Sequence, residues 1–175
     1  MVAHVELLYI TSLGQDHKVD DLGKKKFQKL VYLIETLGDV DLGYQYQIHL
    51  YGPFSKALDD DLRELSSAGQ VAYTRQNRSY LLSLTREGEA ALSSEKRDEQ
   101  LDFSAIECVF DEFSSRSPRD LELLTTSCFV MKKLGARANR DTLKSCVSRI
   151  KGSKFAPEDI DRSVEEAFSL MTARA

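Results

Sequence analysis

The sequence predicts a mostly α-helical α+β fold. A winged-helix-like half, residues 1–92, precedes a helical half, residues 93–175, that packs on it. Three observations point there. Apolar residues recur at helical spacing through most of the chain. Residues 70–84 instead alternate as a β-hairpin. The N-terminal order of helix, helix, strand, helix, hairpin is that of a winged helix.

Taken in order, residues 2–13 place Val5, Leu8 and Tyr9 in helical register, with Gly14 as the stop. The stretch "QDHKVDDLG" reads as a loop. A helix over 24–37 carries Phe27, Leu30, Val31, Ile34 and Leu37 on one wide face, and Gly38 suits a left-handed residue after it. "LGYQYQIHLYGP" alternates as a short strand with Tyr44, Tyr46, Ile48 and Leu50 on one side. Pro53 fits the first turn of the next helix, 55–68, whose inner face is Leu58, Leu62 and Leu65 and which closes at Gly69. In the hairpin, Val71 and Tyr73 face Tyr80, Leu82 and Leu84, and Asn77 suits the tip. Thr85 caps "TREGEAALSSEK".

The second half reads as helix throughout. Phe103, Ile106, Phe110 and Phe113 keep helical spacing until "SRSP" interrupts them. Leu121, Leu124, Cys128 and Met131 form the next stripe, with Gly135 just past its end. Asn139 or Asp141 can cap a helix bearing Leu143, Val147 and Ile150. Pro157 opens the last helix, striped by Ile160, Val164, Phe168 and Met171. No Pro/Gly linker separates the halves, so they are expected to share an interface.

Bulk composition narrows the function classes. The chain has 175 residues, 42% hydrophobic, with net charge -4, so it holds a sizeable core but no global basic field. Three distant cysteines, Cys108, Cys128 and Cys146, fall on apolar stripes and read as buried reduced thiols. No apolar run reaches the ~20 residues of a membrane span, and "MVAHVELLYITSLG" makes a poor signal peptide. A cytoplasmic protein without membrane contact is expected.

Two segments look familiar. "KKKFQKLVYLIETLG" followed by "YQYQIHLYGPFSKALDDDLRELSSAGQV" resembles the YwgA-like group of small, uncharacterised prokaryotic proteins. It also resembles, more distantly and in the first half alone, the Panacea domain of bacterial antitoxins, related to the proteolytic adaptor SocA. "RDLELLTTSCFVMKKLG" and "RIKGSKFAPEDIDRSVEEAF" extend the YwgA-like resemblance to most of the chain. The shared motifs are structural, so the resemblance implies a fold and brings no catalytic residues. The Panacea likeness implies neutralisation of a partner protein by binding.

A search for chemistry returns no catalytic constellation. His4, His17 and His49 are scattered, and no His or Cys pair has metal-ligand spacing. "LGKKK" is no phosphate loop, and no G-x-S-x-G elbow occurs. Of the run Asp59–Asp61, at most two carboxylates can converge on a metal, because successive helix residues point about 100° apart. No enzyme activity, metal or cofactor is expected.

What remains is charge. Helix 55–68 occupies the place of a recognition helix but is acidic, unlike a groove reader. Its exposed face is expected to show Lys56, Asp59, Asp60, Arg63 and Ser67, with Lys56–Asp60 and Asp59–Arg63 pairs at helical spacing and Asp61 and Glu64 unpaired. Lys56, Asp59, Asp60, Arg63 and Glu64 are therefore the candidate protein-partner surface. Arg75 and Arg78 at the hairpin tip, with Lys132, Lys133, Arg137, Arg140, Lys144, Arg149, Lys151 and Lys154, are candidate phosphate contacts. Lys24, Lys25 and Lys26 oppose the dipole of their helix and are either solvated residues or an anion or acidic-partner site. The expected function is a non-catalytic regulatory or accessory module that binds another protein. The alternative is a winged-helix regulator bound to double-stranded DNA. A homodimer fits either.

Overall fold

The computed structural model describes residues 4–94 and 102–174. Among these it is mostly α-helical with two small antiparallel sheets. The N-terminal half runs α1 (Val5–Asp16), α2 (Lys24–Leu37), β1 (Gln47–His49), β2 (Gly52–Phe54), α3 (Lys56–Ser67), β3 (Val71–Gln76), β4 (Ser79–Leu84) and α4 (Arg86–Ser94). The C-terminal half runs α5 (Phe103–Phe113), α6 (Pro118–Leu134), a 3-10 turn (Gly135–Arg137), α7 (Arg140–Lys151) and α8 (Pro157–Ala173). Parts of two expected helices, residues 2–3 and 95–96, lie outside the described residues.

Local signals set most of these boundaries. Ser55, Asp102, Ser117 and Asn139 each cap the helix that follows by accepting a backbone N–H. Pro118 and Pro157 occupy first helical turns. Gly69, at φ 72°, closes α3, and Asn77, at φ 54°, makes the left-handed corner between β3 and β4. Thr85 Oγ accepts the Gly88 amide at the start of α4, as its spacing suggested.

Other glycines and a proline act differently from expectation. Gly14 does not stop α1, which runs on to Asp16; it lies buried where a Cβ would stand 2.3 Å from the Leu22 side chain. Gly38 is right-handed, and the left-handed position falls to Asp39 at φ 52°. Pro53 does not open α3. It sits in β2 opposite Ile48, two residues before the capping Ser55, and the single strand expected over "LGYQYQIHLYGP" is instead a hairpin of β1, a turn at Leu50–Tyr51 and the first two residues of β2. A proline opposite Ile48 leaves the hydrogen-bonded pairs to Gln47–Phe54 and His49–Gly52.

One core unites the halves. Phe27, Leu30, Leu33 and Ile34 of α2 pack in a single cluster with Leu58 and Leu62 of α3, Ile106, Phe110 and Phe113 of α5, and Leu121 and Leu124 of α6. A second cluster, Leu143, Val147, Phe155, Ile160 and Val164, joins α7 and α8 to α6. The division expected at 92–93 falls in the last turn of α4. Two stripes are less complete than their spacing implied: Ile150 is exposed, and Cys108 lies in solvent rather than in the core. Cys128 is buried, and burial pushes its thiol up to about 12; Cys146 is half-buried.

Candidate functional site

The three consecutive acids of α3 point three ways. Asp59 is buried, contrary to the expected exposure, and its carboxylate meets Lys24 at 3.3 Å and Arg63 at 2.6 Å. Asp60 is exposed and takes the Lys56 ammonium at 2.5 Å, which holds its carboxyl below the usual range. Asp61, expected to be unpaired, accepts the Tyr44 hydroxyl at 2.8 Å and lies 3.7 Å from His4 Nδ1. His4, Asp61 and Glu64 bring one ligand-type atom each within 4.8 Å. Glu6 stands 3.8 Å from the same His4 nitrogen, so the group reads as a histidine held among carboxylates. Of the candidate partner surface, Lys56, Asp60, Arg63 and Glu64 are exposed, and Asp59 is not.

Half of the basic run of the C-terminal half is neutralised by acids distant in sequence. Arg140 pairs with Glu165 at 2.8 Å and lies over the Phe168 ring. Lys144 pairs with Asp161 at 2.6 Å, which raises its pKa. Lys151 is no surface cation: it is buried against Glu122 at 2.6 Å, and Lys154 takes the other oxygen of the same carboxylate at 2.6 Å. Among the described residues Lys132, Lys133, Arg137 and Arg149 remain exposed with no ion pair, although Lys133 lies 5.4 Å from the Phe129 ring. Arg75 and Arg78 are exposed at the hairpin tip as expected.

The densest polar construction lies elsewhere, beneath the turn between β1 and β2. Lys151 Nζ donates to the Leu50 carbonyl at 2.8 Å, and Lys29 Nζ donates to the Pro53 carbonyl at 2.8 Å. Gln28 bonds both backbone groups of Ser55, its amide donating at 2.8 Å and its oxygen accepting at 3.0 Å. Gln28, Lys29, Glu122 and Lys151 are all buried. Burial lowers the Lys29 pKa to about 8, against the raising effect of Glu122. Burial pushes Glu122 upward, but hydrogen bonds from Lys151 and Lys154 outweigh it and leave the carboxyl below its ordinary value. Gly52, at φ 93°, fits where a Cβ would lie 3.1 Å from Thr126 Oγ and 3.2 Å from the Glu122 carbonyl.

This clamp presents two large side chains to solvent. Leu50, which alternation grouped with Tyr46 and Ile48 on one side of a strand, is 74% exposed in the turn, and Tyr51 is 40% exposed. The Tyr51 ring has Lys25 Nζ 3.3 Å from its centroid and Lys154 Nζ at 4.7 Å. Ile150, 40% exposed, immediately precedes the lysine that holds Leu50. The surroundings are basic, with Lys25, Lys29, Lys151 and Lys154 against Glu122. The sequence offered one signal for this site: Lys29 and Glu122 fall inside otherwise apolar helical faces, where a charge must be paired.

No protein-family model matches the chain. Over 109 residues it is 31% identical to "Uncharacterized protein YwgA" of Bacillus subtilis (strain 168). The match covers 60% of this chain, which thereby spans 63% of the length of that curated relative. The similarity agrees with the YwgA-like resemblance of the motifs and attaches no activity to it. Neither comparison supports the Panacea resemblance. No helix among the described residues is long and apolar enough to cross a membrane.

Proposed function

We propose that this protein is a non-catalytic regulatory or accessory module that works by docking another protein, as an antitoxin-like subunit would. The observation that carries the reading is the clamped turn, which holds Leu50 and Tyr51 outward on a base of buried charges. Burying Lys29, Lys151 and Glu122 is costly, and apolar packing would stabilise the fold as well or better. A fixed, exposed Leu-Tyr pair flanked by lysines is instead what a preorganised binding hot spot needs. The docking surface is thus moved from the acidic face of α3 to this basic-rimmed turn, and the partner surface it fits is acidic with an apolar pocket. Capture from native-host lysate tests it quantitatively. Leu50→Ser/Tyr51→Ser should melt like the parent yet lose the partner bound by the parent. Capture unchanged by that variant would remove the turn from the interface.

A second reading has its own support. The element order of the first half suits a winged helix, and Arg75 and Arg78 stand exposed on the wing. If duplex DNA is the partner, binding falls steeply with salt, and Arg75→Gln/Arg78→Gln flattens that dependence by about two charges. Absence of duplex binding at low salt ends this alternative.

A further inference from the structure

A cleft of about 650 Å³ opens between the start of α2 and the β3–β4 hairpin. Its walls include Lys24, Lys25, Tyr73, Arg78, Tyr80 and Pro118. The two sides are fixed to one another: the Leu82 amide donates to the Leu22 carbonyl at 2.8 Å, and a Cβ on Gly23 would stand 2.9 Å from the Tyr80 carbonyl. The cleft is therefore built before any ligand arrives.

Its charges are of one sign once internal pairs are removed. Lys26 is buried against Asp21, which neutralises both. Lys24 shares Asp59 with Arg63 but keeps 43% of its side chain exposed, with its ammonium 5.3 Å from the Tyr73 ring. Lys25 is exposed over Tyr51, and Arg78 has no ion-pair partner among the described residues. The first turn of α2 carries neither a capping side chain nor an acid that would occupy its amides. The Tyr80 ring is 57% exposed at the same opening. Tyr73, whose hydroxyl is buried without a hydrogen-bond partner, lines the floor.

Cations with an exposed ring beside them suit a ligand that is an anion at one end and a flat π-system at the other. Phosphate oxygens accept from ammonium and guanidinium groups, and a base stacks on tyrosine. The volume lies in the range of pockets that enclose such molecules. We propose that this cleft binds a nucleoside phosphate, with the phosphates at Lys24, Lys25 and Arg78 and the base against Tyr80. The shared chemistry has two sources, a free nucleotide or a nucleotide unit of a single strand. Apart from Lys25, the site uses none of the residues of the docking turn, so either can fail alone.

Titration calorimetry of the full chain at low salt tests the proposal with adenosine diphosphate, uridine diphosphate, inorganic pyrophosphate and an oligothymidylate single strand. At least one nucleoside diphosphate or the strand should saturate a single site below about 1 mM, with pyrophosphate roughly tenfold weaker because the stacking contribution is missing. Tyr80→Ala should bring nucleotide binding down to the pyrophosphate level and leave pyrophosphate unchanged. Arg78→Gln should weaken all ligands. Both residues are exposed, so both variants should melt like the parent, which keeps the comparison valid. Tighter binding of the strand assigns the site to single-stranded nucleic acid, and equal or tighter binding of a diphosphate assigns it to free nucleotide. No saturable binding of any probe would overturn the proposal, as would pyrophosphate matching the nucleotides with Tyr80→Ala inert.

Discussion

The two β-hairpins are held by different chemistry. β3 and β4 pair six residues against six, with Val71 and Leu82 buried on one face and Asn77 making the corner. β1 and β2 pair three against three, one of them proline. So short a pair is marginal by its own hydrogen bonds. It is held from below by Gln28 and Lys29 of α2 and by Lys151 of α7, which is 101 residues away from Leu50. A hairpin of the first kind is specified by its own residues. One of the second kind is specified by residues scattered through both halves, and it can therefore hold Leu50 and Tyr51 outward.

The largest effect should come from breaking the clamp on one side only. Glu122→Leu leaves Lys151 buried without its carboxylate, and such a loss costs about 3–5 kcal/mol. Adding Lys151→Met should recover most of that stability, because the unpaired charge goes with it. Chemical denaturation of the two variants measures both values, and equal stability of the single and double variants would show that the pair is not coupled. Gly52→Val comes next. It places a β-branched residue at φ 93° and drives a Cβ toward Thr126 and the Glu122 carbonyl, and a loss of about 1–3 kcal/mol is expected in thermal melting.

Lys29 adds a pH signature that the long hairpin lacks. Its folded pKa is about 8, below its ordinary 10.5, so between those values the unfolded chain binds the proton and the native chain does not. Stability then rises with pH through that window, by about 1.4 kcal/mol per unit of pKa difference at most. Cys128 and the buried tyrosines, whose folded pKa values are raised, oppose it from about pH 9 upward. The difference between the parent and Lys29→Met across pH 7.5–9.5 isolates the lysine: the parent should gain stability relative to the variant, and parallel profiles would show Lys29 is not desolvated. The smallest effect belongs to α3. Asp60→Lys/Glu64→Lys removes one exposed pair, and the melting midpoint should stay close to the parent's. With the docking surface at the turn, partner capture should survive this reversal, whereas an interface on α3 would lose it.

The same division explains what was legible in the sequence. α2, α3, the β3–β4 hairpin and the caps at Thr85 and Asn139 follow from residues within a turn or two of one another, and local pattern finds them. The fate of a charge does not. Asp59, Asp60 and Asp61 look alike in sequence, yet one is buried against Lys24, one is exposed with Lys56, and one receives Tyr44. The basic run of α7 was legible as charge but not as charge already matched by Asp161 and Glu165 of α8. Leu50 fitted a strand that continued the alternation of Tyr46 and Ile48, and Pro53 fitted a helix start. Both assignments fail because residues far along the chain, Lys29 and Lys151, hold the turn in another shape.

Amide hydrogen exchange on the two hairpins tests that account most directly. In the parent, the paired amides of β1 and β2 at His49 and Phe54 should exchange as slowly as those of Thr74 and Leu81 in the long hairpin, because the clamp ties the turn to the core. In Glu122→Leu/Lys151→Met, where overall stability is largely kept but the donor to Leu50 is gone, the short hairpin should exchange at least about tenfold faster relative to the long one. Fast exchange of His49 and Phe54 already in the parent, or an unchanged ratio in the variant, would contradict the claim that buried long-range charges hold this turn.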